Sequence, residues 1–352
     1  MKRRNFVQHL GLGSLAIPLS GFQPFNPGTY SFGESQIIKP KALKAGDTIA
    51  IVSPASAIFE SEPYEIAKES FEAMGLKVKF GEFVKSRYGH LAGTDEERAG
   101  ELNAMFKDRD VDAIIALRGG SGSARILELL DYDAIKKNPK IFIGYSDITA
   151  LHLAIFEKTG LVTFHAPVAV SSWNSFAVSH FKDILFDKKT PLLENPKDKG
   201  DNLVQTANRT RTITSGKAKG QLLGGNLSVL TGIMGSAYFP KDWSDKIIYL
   251  EDVGENIYAV DRMMTQIQLG GVFKQVKGFV FGKCTDCEPG TSGYGSLTLE
   301  EVLDHYIKPL GIPAFSGAMI GHIRDNSTIP NGIEVEVDAG SGTIQLLEAA
   351  VV

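Results

Sequence analysis

Residues Lys140–Lys158, KIFIGYSDITALHLAIFEK, decide how the chain is read. Ile141-Phe142-Ile143 is a short apolar run of the kind a buried strand uses. Gly144 and Tyr145 lead into Ser146-Asp147, and from Ile148 a helical pattern follows with Leu151, Leu153, Ile155 and Phe156 as its apolar positions. Ser146 therefore stands where a strand turns sharply into a helix. Such a turn lifts a side chain out of the sheet and sets it at a helix N-terminus, where unpaired N–H groups favour negative charge. The oxyanion of a serine-catalysed acyl transfer is one such charge. The plainer alternative is that Ser146 and Asp147 only cap a helix. The rest of the chain has to choose between them.

Towards the N-terminus, strands and helices alternate. DTIAIVSP (Asp47–Pro54) reads as a first buried strand and its exit loop. A helix over Ser61–Met74, a strand over Leu76–Phe80, a helix over Asp95–Lys107 and a strand over Ala113–Leu117 follow. The turn Arg118-Gly119-Gly120-Ser121-Gly122 comes next, then a helix from Ser123 to Lys137. This alternation predicts an α/β fold with a doubly wound parallel sheet. Ligands of such sheets sit outside the carboxyl ends of the strands. The Gly-rich turn and Ser146 both fall at that edge. The turn is neither a P-loop nor G-x-G-x-x-G, so nucleotide binding has little support. An anion cradle of backbone N–H groups and a simple tight turn are the remaining readings.

Towards the C-terminus the composition changes. Asp187-Lys188-Lys189 and Asn195–Gly200 are polar and turn-rich, and Asn208–Thr212 alternates polar and β-branched residues. The predicted organisation is an export signal and spacer over 1–35 and an N-terminal α/β domain over 36–190. An inter-domain crossing over 191–218 leads to a C-terminal mixed α/β domain, rich in strands, over 219–352. In that domain Gly220–Leu223 is a strand ending in a Gly224-Gly225-Asn226 turn, followed by a helix over Leu227–Met234. Ile247–Leu250 is a strand ending at Glu251-Asp252, Ala259–Leu269 and Leu299–Ile307 are helical, and Gly278–Phe281, Glu334–Val337 and Thr343–Leu346 are strands.

The bulk numbers narrow the function. The 352 residues suggest two domains, and 43% hydrophobic with 22% charged residues describes an ordinary globular protein. A formal net charge of −4 makes no electrostatic case for nucleic acid. Cys284 and Cys287 form one C-x-x-C pair, which cannot complete a four-ligand zinc site. Plain thiols are the expected state, ahead of a local disulfide or a bound metal. MKRRNFVQHLGLGSLAIPLSGF (Met1–Phe22) has a basic start and a short apolar middle, and no acidic residue precedes Glu34. That is a signal-peptide plan, and Arg3-Arg4 makes it twin-arginine-like. It predicts an exported, periplasmic protein, or a cytoplasmic one if the signal is not used. The apolar segment is too short for a stable membrane span.

A nucleophilic serine needs a base, and histidine is the usual one. Of seven histidines, His9 lies in the export segment, His152 follows Ser146 on the same helix, and His305 is on an amphipathic helix. His322 stands apart, closing the apolar stretch Gly317–Gly321 before polar Arg324-Asp325-Asn326. A base histidine wants an acceptor for its other ring nitrogen. Glu251, at the end of a buried strand, is placed for that, although an acid there also suits a helix N-terminus.

These motifs, taken in order, carry a resemblance. G-D-T-I-A-I-V-S-P at Gly46, R-G-G-x-G at Arg118 and G-Y-S-D at Gly144 are followed by G-G-N-L at Gly224, L-E-D-V-G-E at Leu250, and G-H at Gly321 with a downstream T-I-P. The chain resembles the LD-carboxypeptidase family of serine peptidases, which includes muramoyltetrapeptide carboxypeptidases and microcin C immunity hydrolases. The likeness spans about Pro40 to Leu347. It implies a triad of Ser146 as nucleophile, His322 as general base and acid, and Glu251 as its orienting acid, meeting in a cleft between domains. It implies an oxyanion hole from the backbone N–H of Asp147 and of Gly119 or Gly120, with the Asp147 side chain free to cap its helix. The substrate expected is a cell-wall tetrapeptide losing its terminal D-alanine, and a homodimer is expected. No cofactor and no metal are called for. Arg118 and Arg324 are candidates for the substrate carboxylate. Trp173 is a candidate stacking platform if the substrate is instead a peptide–nucleotide conjugate. A non-catalytic exported muropeptide-binding protein is the alternative outside enzymology.

Overall fold

The computed structural model describes residues 37–290 and 295–352. The export-signal expectation lies outside the described residues. The first part of the chain runs β1 (Thr48–Val52), α1 (Glu62–Ala73), β2 (Lys77–Phe80), α2 (Asp95–Lys107) and β3 (Ala113–Ala116). It continues with α3 (Tyr132–Lys137), β4 (Ile141–Gly144), α4 (Thr149–Thr159), β5 (Thr163–His165) and α5 (Ser175–Leu185). The helix starts are locally encoded. Thr94 accepts the Glu97 N–H at 3.2 Å while the Glu97 carboxylate accepts the Thr94 N–H at 2.8 Å, a capping box that starts α2 at Asp95.

Strands β1 to β5 pair in parallel in the order β2-β1-β3-β4-β5. All residues of β3 and β4 are buried, as strands covered by helices on both faces require. The order reverses between β1 and β3, so the crevice for a ligand opens beside the loops after those two strands. The Arg118–Gly122 turn is one of them.

The second part supplies β6 (Leu192–Leu193), β7 (Arg211–Thr214), β8 (Lys217–Asn226), α6 (Leu227–Gly232), β9 (Lys246–Val253) and α7 (Ile257–Leu269). Then come β10 (Gly278–Thr285), α8 (Leu299–Ile307), β11 (Ala314–Ser316), β12 (Ile329–Asn331), β13 (Ile333–Asp338) and β14 (Thr343–Leu346). Eight strands form a mixed sheet in the order β6-β14-β13-β8-β9-β10-β11-β7. β12 leaves this sheet and adds antiparallel to β5, so the last part of the chain closes the edge of the first sheet. The fold is the α/β type expected, with a parallel sheet followed by a strand-rich mixed sheet.

Three local expectations are corrected. The helix expected over Ser123–Lys137 is broken into a 3-10 segment, Ser123–Leu129, and α3. Asp131 causes the break: its carboxylate accepts the Ala134 N–H at 3.0 Å and starts a new helix, while its own N–H goes to Asn103 Oδ1 at 2.9 Å. Gly224-Gly225-Asn226 is not a turn but the end of β8. A Cβ on Gly224 would lie 1.9 Å from the Tyr249 carbonyl oxygen, so glycine serves close strand approach here. Finally, Cys284 and Cys287 are joined in a disulfide rather than held as thiols. β10 runs on past Phe281 to Thr285 with a register shift, and the chain then turns at Asp286 with φ 54°. The turn brings the two Cα atoms to 5.3 Å, within bridging range.

Candidate active site

Ser146 follows the last residue of β4 by two positions and adopts φ 64°. A non-glycine residue in the left-handed region is strained and persists only where its surroundings hold it. Here the crossing from strand to helix holds it. A Cβ on Gly144 would fall 2.8 Å from Ile148, so the strand end and the first helical turn touch. The nucleophile candidate thus occupies an elbow, with its hydroxyl presented above the sheet.

His322 lies on the segment after β11. Gly321, at φ 125°, lets the backbone pass against the second sheet, and a Cβ there would sit 2.7 Å from Glu251 Oε2. The imidazole Nδ1 is 2.8 Å from Glu251 Oε2, and Nε2 is 2.9 Å from Ser146 Oγ. Glu251 is fully buried within β9 and can only accept, so Nδ1 carries the proton and Nε2 is left to accept the serine O–H. Tyr145 packs its ring against the imidazole with centroids 4.8 Å apart. The three residues expected to meet are brought into one hydrogen-bonded line.

The line has support that sequence reading missed. Asn226, 2% exposed, donates through Nδ2 to Glu251 Oε1 at 3.1 Å and to Asp252 Oδ1 at 3.0 Å. Its backbone N–H donates to Thr149 Oγ1 at 2.9 Å, in the first turn of α4. Asn226 therefore ties the elbow's helix to the glutamate hydrogen-bonded to His322. Asp252 also accepts the Ser228 N–H at 2.9 Å, and burial, reinforced by the Glu251 charge, pushes its carboxyl up to about 6. Thr285, between the two cysteines, donates to the His322 carbonyl at 2.9 Å and fixes that backbone. The G-G-N-L motif was the one signal for Asn226; nothing local marks Thr285 or Thr149.

The Gly-rich turn reaches the same point. A Cβ on Gly119 would lie 2.9 Å from Ser146 Cβ and 3.2 Å from its Oγ, so only a glycine backbone fits beside the hydroxyl. Ser56 clamps the turn, accepting the Ser121 N–H at 3.0 Å and donating its own N–H to the Gly119 carbonyl at 3.3 Å. If the Gly119 N–H is an oxyanion donor, Gly119→Ala is expected to lower kcat by roughly 10²–10³-fold, the usual cost of spoiling one such donor. Steady-state kinetics beside an unchanged circular dichroism spectrum checks it.

Other expected site residues sit differently. Asp147 does not cap its own helix. Its buried carboxylate accepts the Ser123 N–H at 2.7 Å and its carbonyl accepts the Ser123 hydroxyl, which locks the elbow to the segment after the Gly turn. Arg118 donates weakly to the Ala57 carbonyl at 3.4 Å. Arg324 is exposed and lines a cavity with Tyr145 and His322. Trp173 is committed elsewhere: it packs edge-on against Phe71 at 5.2 Å and Phe181 at 5.1 Å, and Nε1 donates to the Ala169 carbonyl at 3.1 Å. Its ring belongs to the α1–α5 packing rather than to that cavity. Among the described residues, no group of three or more His, Cys, Asp or Glu is placed to hold a metal.

His152 is structural. It is fully buried, bonds the Gly144 carbonyl through Nε2 at 2.8 Å, and burial drives its pKa down to about 4. His165 is buried too and is held well below the usual histidine range. A base depressed on folding adds stability that is present above its unfolded pKa, near 6.5, and lost as pH falls towards the folded value. Asp252 acts oppositely, since its raised pKa favours the fold as pH falls from 6. Asp147, Glu101 and Glu157, also raised by burial, act with Asp252, while His180, also depressed by burial, acts with the two histidines. His152→Gln is expected to lessen the stability that is lost between pH 6.5 and 4, which a pH series of thermal melts on both proteins checks.

Comparison with known proteins places this geometry. Residues 49–166 match the LD-carboxypeptidase N-terminal domain, and residues 219–337 match the LD-carboxypeptidase C-terminal domain. The chain belongs to the LD-carboxypeptidase family. Membership makes it an enzyme of the carboxypeptidase class. A probable murein peptide carboxypeptidase of Bacillus subtilis is 38% identical over 321 residues, covering 89% of this chain and 95% of the relative. The microcin C7 self-immunity protein MccF of Escherichia coli is 32% identical over 331 residues, covering 87% and 94%. Among solved structures, MccF in complex with glutamyl sulfamoyl guanosine matches at TM-score 0.80 and 29% identity, over 89% of this chain and 99% of that one. The muramoyltetrapeptide carboxypeptidase of Oxalobacter formigenes matches at TM-score 0.70 and 26% identity, over 85% and 97%. Relatives on this fold therefore include both murein peptide carboxypeptidases and a microcin self-immunity protein. Among the described residues of this LD-carboxypeptidase, no helix is long and apolar enough to cross a membrane.

Proposed function

We propose that this LD-carboxypeptidase removes the terminal D-alanine from cell-wall tetrapeptides through an acyl-enzyme on Ser146. The observation that carries the reading is the Ser146–His322–Glu251 line, with spacings of 2.9 and 2.8 Å. His322 Nε2 accepts the hydroxyl proton as Oγ attacks the carbonyl carbon before the last residue. Glu251 stabilises the imidazolium that forms and keeps its tautomer. The oxyanion is met by backbone N–H groups of Asp147 and of Gly119 or Gly120. Collapse breaks the peptide bond, and Nε2 returns the proton to the leaving amine. Water, activated by the same imidazole, then releases the shortened peptide and frees the serine.

A peptide–nucleotide substrate is less favoured because the Trp173 ring is already packed against Phe71 and Phe181. Incubating purified muropeptide with the enzyme tests the choice. Loss of one alanine by mass spectrometry supports the reading; cleavage of an aminoacyl-sulfamoyl nucleoside with intact muropeptide refutes it. We also infer export to an oxidising compartment, supported by the Arg3-Arg4 segment and by the Cys284–Cys287 disulfide. Recovery of the chain in a periplasmic fraction, shortened at its N-terminus, checks this. The homodimer expected from the resemblance stays a proposal, open to light scattering.

A further inference from the structure

A carboxypeptidase has to hold the free carboxylate of the residue it expels, and the chemistry says where. Nε2 of His322 must reach the leaving amine to protonate it. The leaving residue therefore lies on the imidazole's side of Ser146. A cavity of about 340 Å³ opens there, lined by His322 and Tyr145. It lies in the size range of small-molecule sites, roughly 300–1,000 Å³.

Its lining suits one amino acid with a free carboxylate. Arg324 is its one permanent charge, and Ser171 and Ser172 also line it. Asp325, next in sequence, does not line the cavity; its Oδ1 accepts from Asn174 Nδ2 at 2.9 Å. The same amide donates to the Arg324 carbonyl at 3.0 Å, so the residue that caps α5 also holds the arginine's backbone. Asn326 lines the cavity and is 3% exposed. Its Oδ1 accepts the Gly321 N–H at 3.0 Å, whereas Nδ2 has no hydrogen-bond partner. A buried donor without a partner is costly, and the backbone segment that carries Arg324 is held on one side by Asn326 through Oδ1 alone. Pro167, Val170 and Ile323 make the remaining wall apolar, which suits a small aliphatic side chain. Arg118 does not line this cavity and turns towards the Ala57 carbonyl.

Resting on the carboxypeptidase reading above, we propose that this cavity is the leaving-residue subsite and that Arg324, not Arg118, binds the terminal carboxylate. The substrates it selects are peptides ending in a small residue with a free carboxyl group. A guanidinium pairs a carboxylate through charge-assisted hydrogen bonds that a neutral carboxamide cannot match.

The test compares one defined tetrapeptide ending in free D-alanine with its carboxamide. The wild type is expected to prefer the free acid by about 10–100-fold in kcat/KM. Arg324→Gln should cut that preference to a few-fold, mainly by raising KM, and Arg324→Lys should restore part of it. Arg118→Gln should leave the preference intact. Full preference in Arg324→Gln, or its loss in Arg118→Gln, overturns the assignment. Equal wild-type turnover of both peptides overturns the subsite alone. Turnover of neither, while a fluorophosphonate still labels Ser146, overturns the carboxypeptidase reading beneath it.

Discussion

Replacing Ser146 by alanine is expected to lower kcat for tetrapeptide cleavage by roughly 10⁶-fold, with KM little changed. In the proposed mechanism the hydroxyl supplies the nucleophile, and its Oγ lies 2.9 Å from His322 Nε2. Binding is spared because the cavity and the Gly turn do not depend on Oγ. His322→Ala should cost about as much, and the double variant little more, because residues acting as a unit are not additive. The single variant should be slightly less stable than the wild type. Alanine keeps the φ of 64° and the strain that goes with it, while the bond from Oγ to Nε2 is lost. Single-turnover kinetics with mass detection measures the effect. Activity within tenfold of wild type would remove Ser146 from the mechanism.

The second large effect comes from an isosteric change, Glu251→Gln, for which a kcat loss of about 10⁴-fold is expected. The direction follows from two donors converging on one carboxylate. Asn226 Nδ2 reaches Oε1 at 3.1 Å, and His322 Nδ1 reaches Oε2 at 2.8 Å. A glutamine can offer oxygen to only one of them. If it satisfies Asn226, its NH₂ faces Nδ1 and drives the imidazole to the tautomer with the proton on Nε2. That tautomer cannot accept from Ser146. If it satisfies His322, two NH₂ groups oppose each other in a buried site, which costs about 1–3 kcal/mol. Kinetics on the purified variant, with its melting temperature as control, separates tautomer loss from unfolding. A loss under tenfold would mean that Glu251 does not set the proton's position.

Much of this was legible in one dimension. Fully apolar runs at Ile141–Ile143 and Ala113–Ala116 announced buried parallel strands, because a strand covered on both faces has no polar face to show. The capping pairs Thr94/Glu97 and Thr298/Glu301 mark helix starts by local hydrogen bonds alone. The strand-to-helix junction located Ser146, and ordered motifs located Glu251 and His322. Where reading failed, the missing information was non-local. Gly224 looks like a turn residue until the Tyr249 carbonyl beside it is known. Cys284 and Cys287 look like thiols until the extension of β10 and the turn at Asp286 are known.

Residue type and order determined the alternating α/β plan, the elbow at Ser146 and the identity of its partners, because hydrophobic period, caps and backbone-specific residues act over a few positions. Only the tertiary structure decided that Ser146 and His322, separated by 176 residues, share a hydrogen bond. It also decided that Asn226 bridges Thr149 to Glu251, that Trp173 is packed away, and that Arg324 rather than Arg118 lines the cavity beside the imidazole. Those outcomes depend on where the elements that follow each sheet's strands come together. Strand pairing and the burial of apolar faces set that, and no window of sequence contains both sides.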